Sequence, residues 1–548
     1  MKKNRGLRLL GFVLLLGACF LTAHVTAFAV TTDSEVLARV DVDDNPAYLG
    51  LPVYAHLQDG NGQSYVLVIA DLSLIHNSGR AYQIIDENPA AKRYFLALGK
   101  KAAAYASIPS SIVKKYWDGK YAVILNPTAN QVNQLSALGF ELEQLSREPI
   151  VLQATRTSPL LSVFVYDELV AGMMNRMQAL RGNESQYVKN LSGVNAVIIG
   201  GSSYTITTRN SNSGTPITKA TQYVYEFLQK LTNMTVSYHN WNTTTGKRNI
   251  VAEKRGDVFP NQIVLVVAHM DDMPAGGAAP GADDNASGSA AVMALAEMID
   301  KVPHKRTVRF VLFTGEEQGL LGSAAYANLV ANQNIVAVFN MDMISYEGDN
   351  DPVMELHTRQ TNSSGYAADK EIADTFIAVV ENYGLSDKLT PTILADGITA
   401  SDHSSFWNKG FAGILAIEDM TNDETPYYHQ AGDKWSTLDQ EYFEAITKAA
   451  GGTVCELITI MRNSPPVPQF SYAYPGNAKI KFTDQSVDPA GHKVTKWQWN
   501  FGDGKSSTLQ NPEHTYAAPY KRSYNVTLTA YDQYGLGDSI TKVVPFNP

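Results

Sequence analysis

The chain has little cysteine and no excess of positive charge. Its 548 residues include two cysteines, Cys19 and Cys455, and its formal net charge is −10. Because Cys19 lies in a segment that we expect to be removed, the remaining thiol cannot form an internal disulfide, and core burial must stabilise the fold. An acidic chain lacks the basic surface of a nucleic-acid-binding protein, so we expect no nucleic-acid partner.

The sequence also lacks a clear membrane-spanning run near its amino terminus. The apolar run at residues 9–21 is shorter than the ~20 residues that cross a bilayer, and basic residues precede it. With the small residues of "AFA" at 27–29, this pattern is typical of a secretory signal. We expect cleavage after residue 29, no stable membrane span and a secreted or periplasmic protein whose formal net charge changes from −10 to −14. A lipoprotein anchored at Cys19 and an uncleaved anchor are the alternatives.

The length predicts several domains, and 44% hydrophobic and 18% charged residues are typical of globular ones. Residues 30–158 combine short apolar runs with a helix that Thr128 caps and Gly139 ends, which predicts a small α+β unit. We interpret this unit as a prodomain that covers the functional site. A permanent accessory domain is the alternative. Three prolines within residues 463–470 indicate a linker to a last domain.

The central segment, residues 159–462, alternates helical patterns with almost unbroken apolar strands. This pattern predicts an α/β fold in which helices sandwich a mostly parallel mixed sheet. The carboxyl ends of parallel strands meet at one edge of such a sheet, where functional residues gather. Four successive apolar runs end in candidate metal ligands or lead to one: His269, then Glu316 and Glu317, then Asp342, and finally His429.

Acidic residues are crowded between residues 269 and 284, beside an apolar strand. Carboxylates that repel one another persist next to a core only when a cation or matched donors neutralise them, so the segment predicts a metal site. In "HMD", Asp271 can accept the other ring hydrogen of His269 and fix its tautomer. Asp283 and Asp284 precede a helix whose cap we expect at Asn285 or Ser287.

The segments "HMDD", "PGADDNASG", "TGEEQGLLGS", "NMDMISY" and "HQAGDKWSTLD" together resemble the co-catalytic zinc aminopeptidases of family M28, in particular the secreted bacterial leucyl aminopeptidase branch. The resemblance covers roughly residues 160–462. It implies two Zn²⁺ ions per chain and peptide or protein substrates with a free amino terminus, with large apolar residues such as leucine preferred.

The same resemblance implies a role for each residue of the motifs. Asp283 is expected to bridge the two ions, and Glu316 to act as the general base. The remaining expectations are His269 and Asp342 on one zinc, Glu317 and His429 on the other, Asp271 as the partner of His269, Asp284 as support for the Asp283 peptide, a catalytic hydroxyl on Tyr428, and unassigned supporting roles for Asp402, His403 and Asp433. For Tyr428, a packing role is the alternative.

One departure from the family pattern is clear. Where the similar branch has a Cys-x-x-x-Cys disulfide, this chain has Asp396 and Ala400, so another interaction must hold that loop. Three rival functions stay open. A carboxypeptidase would need a cationic group for the substrate carboxylate, a glutaminyl cyclase would use a single zinc, and a surface-binding protein would carry an inactive peptidase domain.

The last segment, residues 471–548, shows short alternating strands and turn residues, which predict an all-β immunoglobulin-like sandwich. "WNFGDG" at 499–504 and "YNVTLTAYD" at 524–532 resemble the PKD module. We expect Trp499 and Phe501 to be core residues. The resemblance implies tethering to protein or cell-surface material.

Overall fold

The computed structural model describes most of the chain. The described ranges are 35–42, 49–99, 104–152, 166–179, 183–243, 246–461, 465–476, 478–488, 493–517, 523–533 and 535–546. The expectations for residues 1–29 and for Cys19 lie outside these ranges. Cys455 is a buried free thiol. Within the described ranges, no helix combines the length and apolar character needed to cross a bilayer.

The amino-terminal domain consists of two four-stranded antiparallel sheets, with strand orders β2-β3-β1-β4 and β6-β7-β5-β8. Its helix α3 begins after Thr128, whose side chain accepts from the Gln131 N–H in a capping box, as the sequence predicts. The elements are β1 (Glu35–Asp41), β2 (Val53–Gln58), β3 (Ser64–Asp71), α1 (Leu72–Asn77), β4 (Tyr82–Asp86), β5 (Tyr94–Gly99), α2 (Ala104–Ser107), β6 (Lys114–Trp117), β7 (Tyr121–Leu125), α3 (Ala129–Ala137) and β8 (Phe140–Gln144).

The central domain contains ten strands and eight α-helices among the described residues, together with a short 3₁₀ helix at Trp435–Thr437. The elements are α4 (Glu168–Ala179), α5 (Asn183–Leu191), β9 (Val197–Ile199), β10 (Ser202–Tyr204), α6 (Thr215–Leu228), β11 (Thr235–Asn240), β12 (Arg248–Lys254), β13 (Phe259–His269), α7 (Ala286–Ile299), β14 (Arg306–Phe313), α8 (Leu321–Val330), β15 (Ile335–Met341), β16 (Val353–His357), α9 (Tyr366–Asn382), β17 (Thr390–Leu394), α10 (His403–Trp407), β18 (Gly413–Glu418) and α11 (Gln440–Ile458).

Eight of these strands form one mixed sheet in the order β11-β12-β14-β13-β15-β18-β16-β17. Strands β14, β13, β15 and β18 run parallel at its centre, and antiparallel pairs join the flanking strands to them. Apolar residues of α7, α9 and α11 cover one face, and those of α8 and α10 cover part of the other. The α/β sandwich predicted from the sequence is therefore confirmed, and the parallel centre places four strand ends at one edge.

The carboxyl-terminal domain is all β, as predicted. A three-stranded sheet, β19-β20-β23, accompanies a four-stranded sheet, β22-β21-β24-β25, and Trp499 and Phe501 are buried in their shared core. The strands are β19 (Phe470–Gly476), β20 (Lys479–Asp484), β21 (Val494–Asn500), β22 (Ser506–Ser507), β23 (Glu513–Thr515), β24 (Ser523–Asp532) and β25 (Gly537–Pro545).

Candidate metal centre

The four strand ends bring the candidate ligands together, as the parallel topology requires. His269 is the last residue of β13, Glu317 lies in the turn that follows β14, and Asp342 follows β15 directly. His429 lies on the loop that follows β18. The side chains of all four residues are buried, so residues far apart in the chain form one cluster beneath the surface.

The cluster consists of two groups that share Asp284. In one group, His269 Nε2 lies 3.0 Å from Asp342 Oδ1 and 3.4 Å from Asp284 Oδ1. In the other, His429 Nε2 lies 3.0 Å from Glu317 Oε2 and 3.3 Å from Asp284 Oδ2. Each oxygen of Asp284 therefore faces a different histidine, which is the arrangement that a carboxylate bridging two cations requires.

Asp283, the residue expected to bridge the two ions, does not face the two histidines in this structure. Its Oδ1 instead accepts hydrogen bonds from the Ser345 N–H at 3.0 Å and the Ser345 hydroxyl at 2.7 Å, and it also contacts Glu418. Adjacent residues in a turn point their side chains in different directions, so only one of the two aspartates can face the histidines. The aspartate that faces both histidines is Asp284, for which the sequence predicted only support of the neighbouring peptide.

Asp433 holds the backbone that positions Asp284. Its two carboxylate oxygens accept the N–H groups of Asp283 and Asp284 at 2.9 and 3.0 Å. Directly afterwards, the Asn285 side chain caps α7 by accepting the Gly288 N–H at 2.8 Å. The supporting role expected for Asp433 is thus a pair of charge-assisted hydrogen bonds to the turn.

The outward nitrogen of each histidine faces an acceptor. His429 Nδ1 donates to the Ser136 carbonyl at 2.8 Å, which leaves Nε2 free to face the carboxylates. His269 Nδ1 lies 3.7 Å from Asp271 Oδ1, so these groups are close but beyond direct hydrogen-bond distance. Asp271 also accepts the Gly315 N–H at 2.9 Å and the Glu316 N–H at 3.3 Å. It therefore ties the end of β13 to the turn that carries both glutamates.

The donor set fits divalent cations. Burial raises the pKa of Glu317 to about 8, and its Oε1 has no hydrogen-bond partner among the residues that the structure describes. Burial alone would lower the pKa of His269, but the charges of Asp342 and Glu316 outweigh it and raise that pKa. For His429, burial also lowers the pKa, but the charges of Glu317 and Asp284 and their hydrogen bonds to the ring together raise it. Imidazole and carboxylate ligands so arranged suit zinc.

Glu316 lies beside this donor set without lying between the histidines. One of its carboxylate oxygens is within 4.8 Å of ligand atoms of both His269 and Asp342. Burial raises the pKa of the Glu316 carboxyl group well above its ordinary value. A buried carboxyl group next to a metal position suits proton transfer.

The two remaining residues of unassigned role, Asp402 and His403, are both buried. Burial raises the pKa of Asp402 to about 7. Burial lowers the pKa of His403 to about 3, its Nε2 lies 2.9 Å from the Ile398 carbonyl, and its ring packs edge-on against Trp407. His403 is therefore a packing residue in this structure rather than a member of the ligand groups.

Tyr428 lies between the cluster and the amino-terminal domain. Its ring stacks on His429 with centroids 3.7 Å apart, and its hydroxyl donates to Glu141 of strand β8. The same domain contacts the glutamate turn, since the Ser136 hydroxyl donates to the Glu317 carbonyl and the Gln144 N–H to the Gly319 carbonyl, both at 3.1 Å. Gly319 has φ +103°, and a Cβ there would lie 2.7 Å from Phe95, so this close approach requires glycine.

Two residues near the site were not predicted from the sequence. Arg209 is fully buried and donates to the carbonyls of Met270 at 2.6 Å and Gly281 at 2.8 Å, among others, so it holds both ends of the acidic loop. Glu418 ends β18 and accepts the Tyr346 N–H at 2.9 Å. A charged residue closing a buried apolar strand was a visible signal for Glu418, whereas "TTRNSN" offered none for Arg209.

The fold and the double ligand cluster define a class of α/β proteins with a candidate metal site at the edge of a mixed sheet. Comparison with known families makes this more specific. Residues 249–454 match the model of peptidase family M28, and residues 463–546 match the PKD domain. Over these ranges, the central part of this chain is similar to family M28, and a segment similar to the PKD domain follows it.

Similar curated proteins carry aminopeptidase names. A probable leucine aminopeptidase of Trichophyton verrucosum is 31% identical over 221 residues, which cover 38% of this chain and 57% of that protein. Aminopeptidase YwaD of Bacillus subtilis is 25% identical over 292 residues, covering 51% and 61%. The chain thus spans between about half and three fifths of the length of these relatives.

Solved structures match the fold over a larger part of the chain. The LapA aminopeptidase of Legionella pneumophila has a TM-score of 0.51 at 20% identity, covering 67% of this chain and 98% of that one. LapB of Legionella pneumophila has a TM-score of 0.52 at 17% identity, covering 67% and 99%. At such identities, the similarity supports the fold.

Proposed function

We propose that this protein is a secreted aminopeptidase that uses two zinc ions to hydrolyse the amino-terminal peptide bond of peptides and proteins. The observation that carries the proposal is Asp284, whose two oxygens face two histidines in separate ligand groups. His269 and Asp342 would complete one zinc site, and Glu317 and His429 the other. The match to family M28 and the names of the relatives also support aminopeptidase activity.

When bound, zinc would supply Lewis-acid chemistry, lowering the pKa of a water molecule and polarising the substrate carbonyl. Glu316 is placed to take the proton of that water and to pass it to the leaving amine, since it lies beside the ligands of one site. Asp271 positions Glu316 by accepting its N–H. Carboxylates around the cavity match the positive charge of a substrate's free amino terminus, which favours cleavage from the amino end over carboxypeptidase action.

The direct test is hydrolysis of leucine p-nitroanilide and of its amino-acetylated copy by the purified protein, with and without a chelator. Cleavage of the free-amine substrate alone, lost on chelation and restored by zinc, is the expected result. Cleavage of the acetylated copy at an equal rate would rule out an aminopeptidase. Glu316→Gln should keep both zinc ions and lose about 10²- to 10⁴-fold in turnover, and near-normal turnover would remove Glu316 from the mechanism.

The preference for large apolar residues such as leucine is supported by the cavity beside the ligand groups. The cavity measures about 570 Å³, within the range of ligand pockets. Its apolar lining includes Met343, Leu415 and Ile417, which form one buried cluster. A comparison of kcat/KM for leucine and alanine p-nitroanilides tests this preference, because the larger side chain should be cleaved faster.

We further propose that residues 30–158 act as a prodomain, so the secreted protein is a zymogen. Residues of this domain, including Leu98, Gly119 and Glu141, line the cavity, and Glu141 accepts the Tyr428 hydroxyl. A Tyr428 hydroxyl held in this way is not available to stabilise a reaction intermediate. Mass spectrometry of the active secreted protein tests the proposal. An active form that begins at Val30 would show that the domain is a permanent accessory.

Secretion through a cleaved signal peptide over residues 1–29 belongs to the same proposal, and a lipid on Cys19 in the mature protein would refute it. For the PKD domain, we propose tethering to protein or cell-surface material. Retention of the full chain on insoluble protein should fall when residues 471–548 are deleted. Unchanged retention would end the tethering idea.

A further inference from the structure

The cavity beside the ligand groups has a charged part that a pocket for leucine does not need. Two neighbouring antiparallel strands build this part, with Glu355 opposite Ile417 and His357 opposite Leu415. Cross-strand partners lie on the same face of a sheet, and all four residues line the cavity. The apolar wall and the charged groups therefore belong to one continuous surface.

Three charged side chains on this surface form a compact group. His357 lies between two carboxylates, with Nε2 3.1 Å from Glu355 Oε2 and Nδ1 3.0 Å from Asp396 Oδ2. Glu355 and His357 are buried, whereas the Asp396 side chain is 37% exposed. The hydrogen bonds to Asp396 and Glu355 favour a charged imidazole, so the group carries one net negative charge. Glu424, which also lines the cavity, adds another.

The position of this group suits the end of a long side chain. The Asp342 N–H donates to the Ala416 carbonyl of β18 at 3.1 Å, and β16 is the next strand beyond β18. Glu355 and His357 are thus two strands away from the strand that leads to Asp342, or roughly 10 Å across the sheet. A lysine ammonium reaches farther from its Cα than a leucine methyl group does.

We propose that the cavity accepts a long, cationic first residue, lysine or arginine, whose methylene chain packs along Leu415 and Ile417 and whose charge pairs with Asp396 and Glu355. This inference rests on the proposed aminopeptidase function and names the substrate class of the same site. Asp396 makes the more exposed contact with the substrate charge, and Glu355 holds His357 from the other side.

The amino-terminal domain already places a cation at this location. Lys120 lines the same cavity, and its positive charge lowers the pKa of Asp396, although the bonds to His357 contribute more. A lysine from the covering domain therefore faces the carboxylate that the substrate cation would face. The proximity of Lys120 to Asp396 supports the proposal independently of the pairing between β16 and β18.

The test compares kcat/KM of the active secreted protein for lysine, norleucine and glutamate p-nitroanilides. Norleucine has the same carbon chain as lysine without the ammonium group. Lysine should exceed norleucine by about 10-fold or more, as one charge-assisted hydrogen bond predicts. Equal rates for lysine and norleucine, or faster cleavage of glutamate, would overturn the proposal. Cleavage of leucine p-nitroanilide in the same assay shows separately whether the proposed function holds.

Two variants test whether Asp396 and Glu355 cause the preference for lysine over norleucine. Asp396→Asn should reduce the ratio of lysine to norleucine at least 5-fold and leave norleucine cleavage within about twofold, because the asparagine oxygen can still accept from His357 while the charge that attracts the cation is lost. Glu355→Gln provides a second change in the same group. Asp387→Asn, which removes an exposed carboxylate outside the cavity, is the matched control and should change no ratio. An unchanged ratio in both cavity variants would refute the assignment.

Discussion

The sharpest consequence of the structure concerns two adjacent aspartates that differ in role. Asp284 offers one oxygen to each histidine group, at 3.4 and 3.3 Å. In Asp284→Asn, the amide nitrogen replaces one of these oxygens, and the negative charge shared by the two cations is lost. Loss of a partner outside the direct ligands typically costs 10- to 100-fold in metal affinity. Loss of the bridging ligand should therefore cost at least about 100-fold at one site.

Asp283→Asn should behave differently. The carbonyl oxygen of the substituted side chain can still accept from the Ser345 N–H and hydroxyl, which lie 3.0 and 2.7 Å from Asp283 Oδ1. Burial raises the pKa of Asp283 to about 6, so removing its charge relieves part of the cost of desolvation. The new amide faces Glu418, and the altered contact should cost about 1–3 kcal/mol in the free energy of unfolding. Both metal sites should stay occupied.

The assay measures zinc per chain after dialysis of both variants against the same weak chelator, with leucine p-nitroanilide turnover and urea unfolding beside it. We expect Asp284→Asn to retain one zinc or less and to lose at least about 100-fold in turnover. We expect Asp283→Asn to retain two zinc ions and measurable turnover. The reverse pattern, with two zinc ions in Asp284→Asn and a deficit in Asp283→Asn, would return the bridging role to Asp283.

Three further predictions follow from neighbouring contacts. Asp433→Asn should lower the free energy of unfolding by about 2 kcal/mol and zinc affinity by 10- to 100-fold, because one buried N–H of the turn loses its acceptor. Urea unfolding measures the first effect and chelator competition the second. Burial opposes charge on His357, but its carboxylate partners raise its pKa to about 9. The difference in the free energy of unfolding between wild type and His357→Gln should therefore be about 3 kcal/mol below pH 6.5 and should vanish as the pH rises through 9. An equal difference at pH 6 and pH 10 would contradict this. Arg209→Met should destabilise the central domain by about 3–5 kcal/mol, since it leaves Asp272 buried without its cation, and a urea midpoint unchanged from wild type would contradict that.

The sequence allowed the fold and most of the site to be predicted for a clear physical reason. Apolar runs that end in charge mark buried parallel strands, and the topology of such strands brings His269, Asp342 and the two glutamates to one edge. The choice between Asp283 and Asp284 could not be made in this way. The choice depends on Ser345 and Glu418, which contact the turn from distant parts of the chain. The residues that neighbour Asp283 and Asp284 in the sequence do not indicate that contact.

In the loop where the similar branch has two cysteines, the residues that replace them have two structural effects. Asp396 pairs with His357, while Ile398 and Ala400 pack against the apolar core of the amino-terminal domain. An ion pair and a domain contact thus hold the loop where a disulfide does in the similar branch. Unlike a disulfide, the ion pair adds charge to the cavity wall, and the domain contact would be lost if the proposed prodomain is cleaved off. The replacement therefore links the stability of this loop both to the side chain that enters the cavity and to the domain that covers it.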